Sequence, residues 1–112
     1  MTVLRLSSND YDGEEVPATI GNLISLEVLV LGNNGYVNSI PLSFAQLVNL
    51  EILDLSENSL NDNIPTFFEN YKSLQELNLF SSGVNGEIPQ ELAGATNLQN
   101  LFLHRTPLRG LM

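Results

Sequence analysis

Hydrophobic positions in this chain recur every 24 residues. The period appears in several columns of chemically similar residues, taken from different parts of the repeat. These columns are Leu26, Leu50, Leu74 and Leu98; Ile20, Phe44, Phe68 and Leu92; and the pairs Val16-Pro17, Ile40-Pro41, Ile64-Pro65 and Ile88-Pro89. Self-similarity at a fixed period of this length is typical of solenoids and related repeat architectures.

Each repeat contains one short segment in which apolar and variable residues alternate. The segments read LRL, LVL, LDL, LNL and LFL, and they begin at Leu4, Leu29, Leu53, Leu77 and Leu101. A period of two predicts a strand with one buried face. Because the same register returns in every repeat, we expect the strands to stack in parallel, with the rest of each repeat returning the chain to the same edge.

The second half of each repeat predicts an outer wall of short helical segments. The proline of each Val-Pro or Ile-Pro pair fixes φ and lacks an amide donor, so it suits the first turn of a short helical or 3₁₀ segment. Apolar residues three positions apart follow each proline and are expected to face the core. They are Ile20 and Leu23, Phe44 and Leu47, Phe68 and Tyr71 and, more weakly, Leu92 and Ala95.

Asparagines three positions after the last strand leucine predict a hydrogen-bonded ladder. Asn9, Asn34 and Asn58 occupy this position in the first three repeats. An inward asparagine side chain there can bond backbone amides and carbonyls of neighbouring coils. Ser82 and Thr106 occupy the position in the fourth and fifth repeats. We therefore expect a shortened ladder and looser order toward the C-terminus.

Two repeats carry enough consensus residues to indicate a family. The stretches LEILDLSENSLNDNIPTFFENYKS and LQELNLFSSGVNGEIPQELAGATN resemble the plant-type leucine-rich repeat, LxxLxxLxLxxNxLxGxIPxxLxxLxx. The resemblance covers essentially the whole chain, and the Ile-Pro pair with the 24-residue length distinguishes this subtype from other leucine-rich repeats. The chain departs from it where Asn38 and Asp62 occupy a column that is usually glycine, and it lacks the usual cysteine-bearing caps.

The resemblance implies an α/β solenoid, wound as a right-handed leucine-rich-repeat coil. A short parallel β-sheet would line its concave side and 3₁₀ or short helical segments its convex side. Family members include the ectodomains of receptor-like kinases and receptor-like proteins and the polygalacturonase inhibitors, and their ligands commonly meet the concave face. We expect a single leucine-rich-repeat domain over 1–112, a fragment of a longer array, with its repeats at about 1–25, 26–49, 50–73, 74–97 and, in part, 98–112.

Composition removes several classes of partner and cofactor. The chain has thirteen acidic residues and four lysines and arginines, which gives a formal charge of −9. This charge argues against a nucleic-acid partner, because phosphate binding relies on clustered cations. There is no cysteine, and no apolar run is long enough to span a bilayer. The family suggests the cell surface, but the sequence shows no signal peptide and no Asn-x-Ser/Thr sequon, so localisation is not predicted.

Strand positions between and beside the leucines predict the candidate binding surface. We expect one exposed column of Arg5, Val30, Asp54, Asn78 and Phe102, and a second of Ser7, Gly32, Ser56, Phe80 and His104. Flanking columns add Val3, Val28, Ile52, Glu76 and Asn100 on one side, and Ser8, Asn33, Glu57, Ser81 and Arg105 on the other.

Two features of this surface are candidate contacts. Phe80 and Phe102 are candidate anchors, since aromatic residues are enriched at binding hot spots, although Phe102 could instead cover an end of the core. Asp54, Glu57 and Glu76 could form an acidic patch for a basic peptide, or could simply be solvated charges.

Nothing in the sequence assembles a catalytic or metal site. His104 is the only histidine, no glycine-rich phosphate loop is present, and an exposed sheet does not bury a pair of carboxyls as glycosidase chemistry requires. The oxygen-rich stretch at 9–15 does not have the spacing of a helix-loop-helix calcium motif. We therefore predict no enzyme, no cofactor and no metal.

The sequence favours a recognition module whose partner is a protein or a peptide, with a basic segment as one candidate. One alternative is an inhibitor of a cell-wall-degrading hydrolase, which a cationic concave face would favour and this acidic one does not. Another is a structural spacer that sets the curvature of a larger solenoid. Exposed core at the ends would also permit end-to-end self-association or contact with further repeats.

Overall fold

The computed structural model describes residues 2–109 as one solenoid, in which each of the first four coils has a strand of one shared sheet followed by a 3₁₀ helix, and the fifth has strands only. The strands in chain order are β1 (Val3–Arg5), β2 (Val28–Val30), β3 (Val37–Asn38), β4 (Ile52–Asp54), β5 (Ser59–Leu60), β6 (Glu76–Asn78), β7 (Gly86–Glu87), β8 (Asn100–Phe102) and β9 (Leu108–Arg109). The 3₁₀ helices are Ala18–Asn22, Leu42–Gln46, Thr66–Asn70 and Gln90–Gly94.

The concave side is a five-stranded parallel sheet with the order β1-β2-β4-β6-β8. The strand leucines pair across the whole sheet, in the register Leu4, Leu29, Leu53, Leu77 and Leu101. The first step of this register is 25 residues and the later steps are 24, because the first coil carries one extra residue. The predicted parallel sheet and its repeating register are confirmed.

Two small parallel sheets lie further along the coils and were not predicted. One pairs β3 with β5 and the other pairs β7 with β9. Their partners are 22 residues apart rather than 24, so these segments run slanted across the coils. Their residues do not alternate between apolar and polar, so the sequence contained no strand signal for them.

The outer wall consists of the predicted 3₁₀ helices. Each begins directly after the proline of the Val-Pro or Ile-Pro pair, whose φ lies between −72° and −59°. Phe44 and Phe68 are fully buried in this wall, and Tyr71 packs beside Phe68 with ring centroids 5.1 Å apart. The Tyr71 hydroxyl donates a 2.6 Å hydrogen bond to the carbonyl of Phe44 in the preceding coil.

The prediction that Leu23 faces the core was wrong, since 48% of this residue is exposed. The equivalent residues Leu47 and Tyr71 are fully buried. Leu23 lies in the first coil, where described residues pack against one side only. The strand leucine of the fifth coil, Leu101, is 42% exposed for the same reason, whereas Leu53 and Leu77 are fully buried between two coils.

The asparagine side chains connect the first three coils. Asn34 Nδ2 donates to the carbonyl of Leu31 in its own coil and to that of Leu6 in the preceding coil, both at 2.9 Å. Its Oδ1 accepts from the backbone N–H of Asn9 at 2.7 Å. Asn58 repeats the pattern and accepts from the N–H groups of Asn34 and Tyr36. Each side chain thus satisfies buried backbone groups that the turning chain leaves unpaired.

The fourth coil closes against the third without such a side chain. Ser82 is fully buried, and its backbone carbonyl accepts from the N–H of Leu60 at 2.9 Å. The next residue, Gly83, has φ +93°, and an added Cβ there would lie 2.2 Å from the carbonyl oxygen of Leu60. At this step, which has no bridging asparagine, direct backbone contact holds the two coils together, and the close approach requires glycine.

Candidate functional site

The parallel register places one side chain of each strand in a row across the concave sheet. The row, called the concave row below, consists of Arg5, Val30, Asp54, Asn78 and Phe102. Each member follows the inward leucine of its strand, so it lies on the opposite face of the sheet from the core. The backbone register alone thus brings together residues spread over most of the chain.

Two members of the concave row are held by the backbone of their own coil. Asp54 Oδ1 accepts from the N–H of Ser56 at 2.9 Å, and Asn78 Oδ1 accepts from the N–H of Phe80 at 3.0 Å. Because these bonds use one oxygen of each side chain, the rest of the group remains available to a ligand. The row therefore presents oriented polar groups at its centre, with less side-chain entropy to lose on binding.

The second predicted column is only partly exposed. Gly32 and Ser56 are buried, and an added Cβ at Gly32 would lie 2.9 Å from Ser56 Oγ. Val28, in a flanking column, is also buried. Neighbouring strands and turns cover these positions from both sides, so the free surface is narrower than the strand pattern indicated.

Phe80, His104 and Arg105 form an aromatic-cation cluster at the C-terminal end of the concave face. The rings of Phe80 and His104 have centroids 4.4 Å apart, and the Arg105 guanidinium carbon lies 5.7 Å from the centroid of Phe80. Phe80 is half-buried, whereas His104 and Arg105 are exposed. The Phe80 ring therefore supports the two nitrogen-bearing side chains.

Phe102 is the freer of the two predicted aromatic anchors. It belongs to the concave row and is 39% exposed. Phe80, by contrast, is contacted by His104 and Arg105, so a ligand would meet those side chains as well. The sequence did not distinguish the two rings, because the contacts that partly cover Phe80 come from the turn of the adjacent coil.

The three predicted acidic residues lie on two adjacent coils. Asp54 and Glu76 are half-buried on neighbouring strands, and Glu57 is exposed in the turn after β4. The backbone N–H of Glu57 donates to the carbonyl of Phe80 at 2.8 Å, which fixes this turn beside the aromatic-cation cluster. The acidic residues therefore lie between Arg5 and the cluster along the solenoid.

The backbone conformation of one flanking column was not predicted from the sequence. The turn residue four positions after the central strand leucine has a left-handed backbone in every coil, with φ between 53° and 59°. These residues are Ser8, Asn33, Glu57, Ser81 and Arg105. Only asparagine among them favours this conformation, so the signal was absent from most coils. The shared conformation gives Glu57 and Arg105 equivalent places beside the concave row.

Among residues 2–109, no helix is long enough and apolar enough to cross a bilayer.

Solved structures share this fold. The chain is similar to the leucine-rich-repeat ectodomain of the Arabidopsis thaliana receptor kinase GASSHO1/SCHENGEN3, solved in complex with CASPARIAN STRIP INTEGRITY FACTOR 2, with 29% identity and a TM-score of 0.89. It is similar to the PEPR1–AtPEP1 structure, with 37% identity and a TM-score of 0.92. It is also similar to the Arabidopsis HAESA ectodomain solved with an N-terminally extended IDA peptide hormone ligand, that is, one lengthened at its N-terminus, with 29% identity and a TM-score of 0.82.

These matches cover nearly all of this chain and a small part of each solved chain. The shares are 96% and 13% for GASSHO1/SCHENGEN3, 97% and 15% for PEPR1, and 98% and 21% for HAESA. Among curated proteins, none matches the chain in sequence. A family model described as a leucine-rich repeat region matches residues 1–108. With its 24-residue Ile-Pro repeats and its parallel concave sheet, the chain belongs to the leucine-rich-repeat family and is of the plant type.

Proposed function

We propose that this chain is a non-catalytic recognition module whose concave row binds an extended peptide or protein segment. The observation that carries the proposal is the register that aligns Arg5, Asp54 and Phe102 on one exposed face. The solved relatives support it, because HAESA was solved with a peptide hormone on the same type of solenoid. By the same likeness, we infer a receptor-like or defence-related setting.

The size of the concave face favours an extended ligand over a globular one. Five strands spaced about 4.8 Å apart, with about five residues each, give a face of roughly 19 by 16 Å. A standard protein interface covers about 800 Å² per partner, which is more than this face provides. An extended segment running across the strands could instead contact every coil.

The charges along the face suggest the chemistry of the ligand. A lysine or arginine of the ligand would lie over Asp54, Glu57 and Glu76, while an apolar side chain would pack on Phe102. The net charge of −9 would further attract a basic segment over a longer range. These charges argue less well for a hydrolase inhibitor that depends on a cationic face.

Peptide titrations test the proposal. A capped ten-residue peptide with lysines near its centre and one terminal phenylalanine is compared with a matched peptide that has glutamates in place of the lysines, by calorimetry. We expect the lysine peptide to bind more tightly, and Phe102→Ser to weaken that binding about tenfold, as loss of a hot-spot aromatic does. Glu76→Gln should weaken it less and reduce its salt dependence.

Ile24→Ser, which removes a 57% exposed aliphatic side chain outside the concave row, is the matched control and should leave the lysine peptide's affinity unchanged. Equal binding of the two peptides, or equal affinity of the Phe102→Ser and Ile24→Ser variants, would show that the concave row is not the binding surface. In that case the spacer role, which needs no ligand on these coils, would be favoured.

A further inference from the structure

A second depression lies on the outer side of the solenoid, between the second and third coils. It has a volume of about 370 Å³, and we call it the outer groove. Its lining residues are Ile40, Leu42, Asp62, Asn63, Ile64, Pro65, Thr66 and Phe67. None of them belongs to the concave row, and the groove plays no part in the function proposed above.

The outer helices pack tightly at the neighbouring steps of the solenoid. An added Cβ at Gly21 would lie 2.4 Å from Ser43 Oγ, so the first and second outer helices are in direct contact. An added Cβ at Gly94 would lie 2.8 Å from Glu69 Cβ, which shows the same for the third and fourth. A groove between the second and third helices is therefore a local feature and not a property of every coil.

Phe67 forms the wall of the groove on the side of the third coil. The same position of the repeat holds Thr19, Ser43 and Glu91 in the other coils. The Phe67 ring packs edge-on against rings of its own coil, with its centroid 5.5 Å from Phe68 and 6.1 Å from Tyr71. This bulky ring therefore lines the groove from the third coil, at a position where the other coils carry small or polar side chains.

Leu42 supplies the opposite wall and is 80% exposed. The equivalent positions hold Ala18, Thr66 and Gln90, so a large apolar side chain is exceptional here as well. Two independent departures from the repeat pattern, Leu42 and Phe67, thus meet at one groove. Binding of a partner that covers this apolar patch is favourable, because it removes apolar surface from water.

Charge indicates what could cover the groove. Asp62 is the only ionisable residue among the described residues that line it. The four basic residues lie elsewhere: Arg5 and Arg105 at the concave face, Arg109 in β9, and Lys72 with its Nζ donating to the carbonyl of Gly94. A second copy of this chain would bring a like charge of −9, which disfavours self-association. A basic partner would not have this penalty.

We propose that the outer groove docks a segment of another protein that inserts one apolar side chain between Leu42 and Phe67 and sets a lysine or arginine against Asp62. The groove is large enough for a side chain and too small for a folded domain, so the partner must contribute a protruding segment. Because the groove and the concave row lie on opposite sides of the coil, both can be occupied at once.

Nuclear magnetic resonance titration of the full 112-residue chain tests this proposal. The probe is a capped tetrapeptide with phenylalanine followed by lysine, and the matched probes carry serine in place of phenylalanine or glutamate in place of lysine. We expect the phenylalanine-lysine probe to shift the amide signals of Ile40, Leu42, Asn63 and Phe67. Leu42→Ser should weaken its binding about tenfold.

Two variants locate the effect. Ile24→Ser also removes an exposed aliphatic side chain, 57% exposed and outside the groove, and should leave binding unchanged. Asp62→Asn should abolish the preference for lysine over glutamate while retaining the preference for phenylalanine over serine. The proposal is rejected if no probe shifts these signals, if the shifts are confined to the concave strands, or if Leu42→Ser and Ile24→Ser bind alike. Phe102→Ser leaves the groove intact, so the two proposals fail independently.

Discussion

The first three coils and the fourth coil close against their neighbours by different means. Asn34 and Asn58 bridge successive coils through their side-chain amides, whereas the amide of Asn9 donates only within its own coil. At the next step Ser82 is too short to bridge, and Gly83 brings the backbone directly onto Leu60. The same solenoid geometry is thus compatible with two ways of satisfying the buried turn, provided that all of its backbone groups are paired.

Gly83→Ala should produce the largest loss of stability. The substitution forces a side chain into the left-handed region and against the carbonyl of Leu60, and we expect a loss of about 4 kcal/mol in the free energy of unfolding. Gly13→Ala is the matched control, since Gly13 also has a positive φ of 82° but no atom lies within 4 Å of an added Cβ. It should cost about 1 kcal/mol. Urea denaturation measures both, and equal losses would mean that backbone contact does not hold the fourth coil.

Asn58→Ala should come next, with an expected loss of about 3 kcal/mol in urea denaturation. Its amide donates to three backbone carbonyls and its Oδ1 accepts from two N–H groups, all of which the substitution leaves without this partner. Ser82→Ala, at the equivalent position, should cost about 1 kcal/mol, because its hydroxyl makes one long bond of 3.4 Å to the N–H of Val84. If the serine variant lost as much as the asparagine variant, the contrast between the two regions would not hold.

Tyr71→Phe should have a smaller effect than Asn58→Ala, a loss of about 1.5 kcal/mol in the free energy of unfolding near neutral pH. The substitution removes the buried hydroxyl that donates to the Phe44 carbonyl across the outer wall. The equivalent residues of the neighbouring coils, Leu47 and Ala95, are buried and have no hydroxyl to form such a bond. The loss would show that the third coil is also connected to the second through its outer wall.

The same tyrosine should make stability depend on alkaline pH. Burial raises the pKa of the Tyr71 hydroxyl above its ordinary value of 10.0, so the folded state retains a proton that the unfolded state loses. This contribution is complete below about pH 10 and declines as the pH rises, by up to about 1.4 kcal/mol per pH unit. Tyr71→Phe should flatten that decline, and Tyr36, whose pKa burial also raises, should account for part of the remainder. A variant that declines as steeply as the original chain would exclude this role for Tyr71.

Most of the framework could be predicted from the sequence because it depends on a repeated local pattern. The leucine columns predicted the parallel strands, and the prolines predicted the outer 3₁₀ segments. The failures lie where one coil differs from its neighbours. Leu23 matches the buried pattern but is exposed, because packing on one side is a property of its place in the solenoid.

The sequence predicted which residues form the candidate site better than it predicted how exposed their side chains are. The register fixed which residues form the concave row, since strands with identical spacing must align. Whether each side chain is free depends on distances across coils, which no single repeat encodes. The contact of Phe80 with His104 and Arg105 is one example. The outer groove is another, because it arises only where Leu42 and Phe67 come together from different coils.

The sequence by itself determined the repeat, the inward leucines and the order of residues along the concave row. The tertiary structure decided which side chains remain free, how the fourth coil closes through Gly83, and where the outer wall opens. The physical reason is that periodicity specifies which face of each element is apolar. The distance between neighbouring coils, by contrast, results from the side chains and backbones that meet in space, and these come from residues about one repeat apart.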